Sequence, residues 1–175
     1  MRIGAPCRGM CVKVAAVLAT LLLAVPLRAQ GGPAPTAGAD SAAVLQAVQR
    51  LFDAMLARDT AAARALLVPG ARMISVRGDT AVARARTQGD TAFIAMLATG
   101  KERLLERFWQ PVVHVQGPIA SVWTPYDFHI DGAFSHCGID AVSLVKVGDA
   151  WKIATITWTV QRRGCAQSPL GPPAR

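Results

Sequence analysis

The sequence predicts an α+β domain in which a cone-shaped, strongly curved antiparallel sheet wraps around three N-terminal helices. Apolar residues recur at helical spacing in the first half of the chain, whereas β-branched and aromatic residues alternate in the second half. Turn dipeptides separate the predicted strands at short intervals. Helices that precede such a meander pack on one face of the sheet. The curved sheet then forms a cone that is open at its wide end.

The first predicted helix has the clearest pattern. Asp40 or Ser41 provides its cap, and the helix extends over four turns. Its apolar residues recur every three or four positions, at Val44, Leu45, Val48, Leu51, Phe52, Met55 and Leu56.

Two shorter helices follow. One is capped by Asp59 or Thr60 and ends before Pro69-Gly70. The other is capped by Asp90 and stops at Gly100.

The remaining segments predict strands. A short hairpin lies between the second and third helices, and from Glu102 onward a four-stranded antiparallel meander accounts for the rest of the fold. The hairpin spans 73–86, and the meander consists of 103–115, 119–130 and the closing hairpin that turns at Gly148-Asp149.

The N-terminus predicts a secretory signal peptide over residues 1–29. A basic start precedes the apolar run 14–25, and a small residue, Ala29, marks the expected cleavage site. The apolar run is too short for a membrane span of about 20 residues, so we expect no stable membrane anchor. The mature protein is therefore expected to be secreted or periplasmic.

The remaining chain divides by composition. Residues 30–39 are rich in Gly, Pro and Ala and predict a flexible linker, residues 40–166 predict one domain, and residues 167–175 predict a disordered tail. Of the 19 basic residues, four precede the cleavage site, which leaves 15 against 11 acidic residues. The arginines are scattered, so we expect no nucleic-acid binding.

Two cysteines, Cys137 and Cys165, remain after cleavage. An even count in an exported protein favours a disulfide, although two separate buried thiols are the alternative. The two are not direct partners in an ideal hairpin, so a bulge or a bend after Val160 must bring Cys165 back. The dispersed His and Cys residues match no zinc pattern, and we predict no metal and no cofactor.

Three features lead to a family resemblance: the strand start at 117–122, the His136-x-Gly138-x-Asp140 set and the Gly148-Asp149-x-Trp151 hairpin. With the order of elements, they resemble the nuclear transport factor 2-like superfamily, and most of all its secreted bacterial lumazine-binding-like and polyketide-cyclase-like members. The resemblance covers 40–165. It implies the cone fold, frequent dimers through the outer sheet face, and functions that range from isomerases, cyclases and dehydratases to binding domains without chemistry.

Strand alternation places Tyr126, His136 and Asp140 on the concave face. We predict His136 as acid/base, Asp140 as its orienting partner and Tyr126 as electrophile, while the alternative is that they only satisfy buried polar groups. The predicted ligand pocket consists of Tyr126, Phe128, His136, Asp140, Trp109 and Trp158.

Three functions remain open at this point. We favour an exported domain that holds a small apolar or aromatic ligand without turnover. The second is a cofactor-free isomerase, cyclase or dehydratase. The third is a homodimerisation or partner-binding module that uses the outer face around Trp123.

Overall fold

The structure is a computed structural model that describes residues 37–78 and 82–173. The predicted signal peptide and residues 30–36 of the predicted linker lie outside the described residues. In chain order the elements are α1 (Ala37–Ala57), α2 (Thr60–Leu66), β1 (Leu67–Arg77), β2 (Arg84–Gly89), α3 (Asp90–Thr99), β3 (Leu104–Phe108), β4 (Val112–Gln116), β5 (Ile119–Ile130), β6 (Ala133–Val147) and β7 (Ala150–Val160). The α+β class predicted from the sequence is confirmed.

Helix α1 packs one apolar face against the sheet. Val44, Val48 and Leu51 on this face are fully buried. The helix begins at Ala37, earlier than predicted, and Asp40 does not cap it. Instead, the Asp40 carboxylate accepts hydrogen bonds from Lys146 Nζ at 2.9 Å and from Trp151 Nε1 at 3.4 Å.

The shorter helices end largely where the sequence predicts. Asp59 caps α2, because its carboxylate accepts a 2.9 Å hydrogen bond from the amide of Ala62. Gly100 ends α3, and its amide donates to the carbonyl of Met96. Asp90 is the first residue of α3, and it accepts from the amide of Gly70 as well as from that of Thr91. No helix among residues 37–78 and 82–173 has the length and apolar character needed to cross a membrane.

The sheet has seven strands in the order β2-β1-β7-β6-β5-β3, and β4 also pairs with β5. The hairpin of β1 and β2 is confirmed, as is the antiparallel run from β5 to β7. The sequence analysis did not predict the parallel pairing of β1 with β7. This pairing joins distant segments, and no local pattern specifies it.

The prediction of one continuous strand over 103–115 was wrong. The strand breaks between Phe108 and Val112, where Gln110 has a φ of 49° and Pro111 has no amide to donate. Both halves still pair with β5, but three residues of this segment lie opposite two of β5. The break therefore acts as a bulge that bends the edge of the sheet.

The alternation predicted for the central strands is confirmed. Val122 and Tyr126 of β5 and Val142 of β6 are buried, whereas Trp123 on the opposite face is 56% exposed. Strand β6 contains an extra residue, Ser135, near its start, but Phe128 still pairs with His136. The inner face therefore presents Tyr126, Phe128 and His136 toward the helices.

Candidate functional site

A cavity of about 150 Å³ lies between the helices and the concave face of the sheet. We call it the cone cavity. A cavity of this size holds a molecule about as large as benzene. Four polar side chains line it, Gln88, Glu106, Tyr126 and His136, and the rest of its wall is apolar: Phe52, Met55, Met73, Phe93, Met96, Leu104, Phe128, Ile156 and Trp158.

Residues of both the helices and the sheet line the cone cavity. Helices α1 and α3 each contribute an aromatic residue and a methionine, and none of these side chains is charged. Glu106 lies opposite Phe128, which lies opposite His136, so three neighbouring strands place these residues in one row across the floor. The cavity is therefore apolar toward the helices and polar along one row of the sheet.

The most unusual polar feature is a pair of carboxyl groups, Glu106 and Asp140. Asp140 is fully buried, and neither of its carboxylate oxygens has a donor among the described residues. Its neighbour is the Glu106 carboxyl group, which can donate a hydrogen bond to Asp140 only when it carries a proton. We therefore describe the pair as two carboxyl groups that share a proton.

Both members of the pair hold protons more tightly than usual. Burial raises the pKa of Asp140 to about 7. Burial, followed by the negative charge of Asp140, raises the pKa of Glu106 well above its ordinary value. Near neutral pH the pair therefore changes its protonation state.

Tyr126 lines the cavity but already uses its hydroxyl proton. The hydroxyl donates a 2.7 Å hydrogen bond to the backbone carbonyl of Thr159. Burial, then the charges of Glu106 and Asp140, raises the pKa of Tyr126 above its ordinary value. This tyrosine is therefore neutral at physiological pH, and its proton points away from a ligand.

His136 lines the cavity and packs against aromatic rings. Its ring centroid lies 4.9 Å from that of Phe128 and 5.8 Å from that of Tyr126. Its Nδ1 lies 3.0 Å from the hydroxyl of Ser135. Burial, then the positive charge of Arg162, lowers the pKa of His136 to about 4, so the imidazole is neutral at pH 7.

The predicted pairing of His136 with Asp140 was wrong. No hydrogen bond joins them in the structure, because Asp140 lies four residues along the same strand and its carboxylate faces Glu106. The polar partner of His136 is Ser135 instead. What the structure brings together is therefore a carboxyl pair beside a separate, neutral imidazole.

Four of the six predicted pocket residues line the cone cavity: Tyr126, Phe128, His136 and Trp158. Two do not. Asp140 lies behind Glu106, and Trp109 belongs to the irregular segment between β3 and β4. There the Trp109 carbonyl accepts a 2.8 Å hydrogen bond from Thr124 Oγ1, which holds this segment against β5.

Sequence reasoning missed Glu106. The alternation of Leu104, Glu106 and Phe108 could have found it, because Leu104 is buried and the three residues share one face of β3. An inward-facing glutamate in an apolar strand is a signal for a functional site.

Cys137 and Cys165 form a disulfide with their Cα atoms 5.9 Å apart. Cys137 pairs with Gln161 across the strands, and the chain then turns back through Gly164, whose φ is 71°. The predicted bend after Val160 is therefore present. The bridge fixes the chain beyond β7 to the strand that carries His136.

The outer face of the sheet holds a second polar cluster next to this bridge. Arg107 donates two hydrogen bonds to the Asp127 carboxylate, at 2.9 and 2.6 Å, and a third to the carbonyl of Gly171. Burial opposes ionisation of Asp127, but the Arg107 bonds and charge outweigh it and lower the pKa of Asp127. His129 Nε2 lies 3.4 Å from the same carboxylate. The cluster therefore attaches residues beyond Cys165 to the sheet.

Comparisons with known proteins agree with this architecture. The sequence profile of the family described as "Putative lumazine-binding" matches residues 39–159. No curated protein matches the chain.

Several solved structures share the fold. A protein of Streptomyces avermitilis described as a "putative dehydratase from the NTF2-like family" is 16% identical, with a TM-score of 0.58 over 72% of this chain and 99% of that one. An NTF2-like protein of unknown function from Silicibacter pomeroyi is 19% identical, with a TM-score of 0.56 over 72% and 99% of the two chains. A protein with a cystatin-like fold from Nostoc punctiforme is 11% identical, with a TM-score of 0.57 over 73% and 95%.

At these identities the solved structures establish the fold, and the family profile covers most of the chain. The chain belongs to the family described as "Putative lumazine-binding", and it shares its fold with the NTF2-like proteins.

Proposed function

We propose that this protein is an exported domain that binds a small apolar or aromatic molecule in the cone cavity and does not convert it. The observation that carries the proposal is the cavity itself, with nine apolar lining residues and one row of polar groups. Binding sites for small molecules generally combine an apolar wall with a few polar groups that fix the ligand's orientation. Membership of a lumazine-binding-like family supports a ligand in this position.

Export is part of the same proposal. The N-terminal sequence has the charge and hydropathy pattern of a secretory signal, and the Cys137–Cys165 disulfide suits an oxidising compartment. Mass spectrometry of the protein recovered from the culture medium or periplasm tests it. A mature N-terminus close to residue 30 is the expected result, and retention of residues 1–29 would contradict it.

A thermal-shift screen of single-ring aromatic compounds tests binding, because a ligand that binds only the folded state raises the melting temperature. The matched variant is Met96→Trp, which places a larger ring at the partly exposed rim of the cavity. Val147→Trp adds the same ring at an exposed position near the tip of the β6–β7 hairpin and serves as the control.

We expect Met96→Trp to abolish the shift and Val147→Trp to preserve it. Equal shifts in both variants would mean that the compounds bind elsewhere. The absence of any shift across the screen would contradict the proposed function.

The carboxyl pair favours a second candidate, a cofactor-free isomerase, cyclase or dehydratase. A carboxyl group with a pKa near the working pH can accept a proton from a substrate carbon and return it to another atom. For this candidate we propose residue roles that differ from those predicted from the sequence. Glu106 and Asp140 are the groups suited to proton transfer, whereas His136 and Tyr126 are suited to packing and orientation.

Deuterium exchange distinguishes binding from proton transfer. An enzyme of this kind would exchange acidic C–H protons of a bound cyclic ketone with solvent, and Glu106→Gln would stop the exchange without preventing binding. Binding without exchange in the wild-type protein would favour the first proposal.

A further inference from the structure

The cone cavity contains acidic groups without a compensating cation. Glu106 lines the cavity, and Asp140 lies directly behind it, fully buried and with no donor among the described residues except the Glu106 carboxyl group when that group carries a proton. None of the described lining residues is a lysine or an arginine. Buried carboxylates are costly unless a positive charge or several donors compensate them.

The charged and titratable groups around the pair do not supply that compensation. The Tyr126 hydroxyl on β5 donates its hydrogen bond to the carbonyl oxygen of Thr159, and Asp127 on the same strand adds negative charge. His136 on β6 is uncharged near neutral pH, and the lining residues of α1 and α3 are apolar. The nearest guanidinium on β3, that of Arg107, pairs with Asp127 on the outer face.

The rest of the cavity wall is rich in aromatic rings. Phe52 and Phe93 line it from the helices, and Phe128 and Trp158 line it from the sheet, together with methionines. The faces of such rings attract cations, and their bulk excludes water. An apolar cavity with aromatic walls and an uncompensated acidic floor is complementary to an organic cation.

We propose that the natural ligand is a small amine, bound with its ammonium group on the Glu106–Asp140 pair and its apolar part against the aromatic wall. This inference rests on the proposed ligand-binding function and names its ligand class. The volume of about 150 Å³ limits the apolar part to roughly one ring. The ammonium supplies the positive charge that the protein itself does not place there.

Binding of an amine should release a proton from the carboxyl pair, whereas binding of a neutral ligand should not. An ammonium stabilises the ionised form of the pair, so binding releases up to one proton to the buffer at pH values below about 7. Affinity should therefore rise by up to about tenfold per pH unit as the pH increases toward 7. A neutral ligand that accepts a hydrogen bond from the protonated pair shows no such release.

Isothermal titration calorimetry with three probes of one shape tests the proposal: benzylamine, benzyl alcohol and benzoate. At pH 7 we expect benzylamine to bind about tenfold or more tightly than benzyl alcohol, which corresponds to one charge-assisted hydrogen bond, and benzoate to bind most weakly. Repeating the benzylamine titration in two buffers of different ionisation enthalpy measures the released proton.

Two variants distinguish the contribution of the acidic floor to ligand binding from that of the rest of the cavity. Glu106→Gln should remove the preference for benzylamine and leave benzyl alcohol within about threefold of its original affinity. Asp149→Asn removes a carboxylate from an exposed turn and should change neither affinity. If Glu106→Gln does not fold, proton release by the wild-type protein remains the deciding measurement.

The outcomes are distinct. Benzyl alcohol that binds as tightly as benzylamine, or benzylamine binding without proton release, would overturn the amine proposal and leave the ligand-binding function standing. Failure of all three probes to bind would overturn both.

Discussion

The hydroxyl group of Tyr126 on β5 reaches across β6 and donates a 2.7 Å hydrogen bond to the carbonyl oxygen of Thr159 on β7. The Tyr126 side chain crosses β6 at Gly138, the residue that pairs with Tyr126. The regular pairing of β6 with β7 begins only at Asp140, so the Thr159 carbonyl lies outside that ladder. The bond therefore ties three strands together at the end of the cone cavity.

This relationship predicts a structural role for Tyr126. Tyr126→Phe removes a buried hydroxyl that is the donor to the carbonyl of half-buried Thr159, which should lower the free energy of unfolding by about 1–2 kcal/mol. Because the hydroxyl proton is not available to a ligand, the affinity for cavity ligands should change less than about threefold. Urea unfolding and a parallel binding titration measure the two effects, and a large loss of affinity at unchanged stability would assign the hydroxyl to the ligand instead.

The sequence predicted the fold and the inner face of the central strands, because the pairing of β5 with β6 is regular from Ala120 opposite Leu144 to Phe128 opposite His136. It did not predict the partner of Asp140. Glu106 is distant in sequence, and its approach depends on the bulge at 109–111 and on the curvature of the sheet. Alternation shows which face a residue occupies but does not show which residues a curved sheet brings together across that face.

The stability of the protein should depend on pH through the carboxyl pair. The pKa of Asp140 is about 7 in the folded state and about 4 in the unfolded chain, and that of Glu106 is also raised. The folded state therefore binds more protons, so stability should fall as the pH rises from about 4 to about 7. For Asp140 the slope is at most about 1.4 kcal/mol per pH unit.

His136 contributes the opposite slope. Its pKa is about 4 in the folded state and about 6.5 in the unfolded chain, so the unfolded state binds more protons and stability rises across that window. His136→Gln should therefore steepen the fall with pH, and the double variant Glu106→Gln/Asp140→Asn should reverse it. Denaturant midpoints between pH 4.5 and 7.5 provide the measurement, and parallel curves for all three proteins would refute the assignment.

Reduction of the disulfide should destabilise the domain. The Cys137–Cys165 bridge closes a loop with a sequence separation of 28, for which the chain-entropy model gives about 3.6 kcal/mol. We expect a lower melting temperature in reductant, and the same decrease without reductant in Cys137→Ser/Cys165→Ser. A thiol titration of the unfolded, unreduced protein that detects two reactive thiols would show that the bridge does not form.

The exposed apolar residues on the outer face of the sheet predict a homodimer in which Trp123 lies at the interface. This residue is 56% exposed, and its pairing partner on β4, Val112, is 50% exposed, which gives the sheet an apolar surface on the side away from the cavity. Trp123→Glu should convert a dimer into a monomer in sedimentation equilibrium without affecting ligand binding. Asp149→Glu, a change at an exposed turn, is the control. A monomeric mass for the wild-type protein would exclude this surface.

Gly138 should tolerate no side chain. A Cβ atom at this position would lie 2.0 Å from the Thr159 carbonyl oxygen, the same atom that accepts the Tyr126 hydroxyl bond. Gly138→Ala must therefore displace β7 from β6, break that bond and widen the floor of the cone cavity. We expect a loss of about 2 kcal/mol or more in the free energy of unfolding, together with weaker ligand binding. Gly38→Ala is the matched control, because a Cβ there meets no atom within 4 Å and alanine is a good helix former in the first turn of α1. Equal stability of the two variants in urea unfolding would contradict the close approach of Gly138 to Thr159.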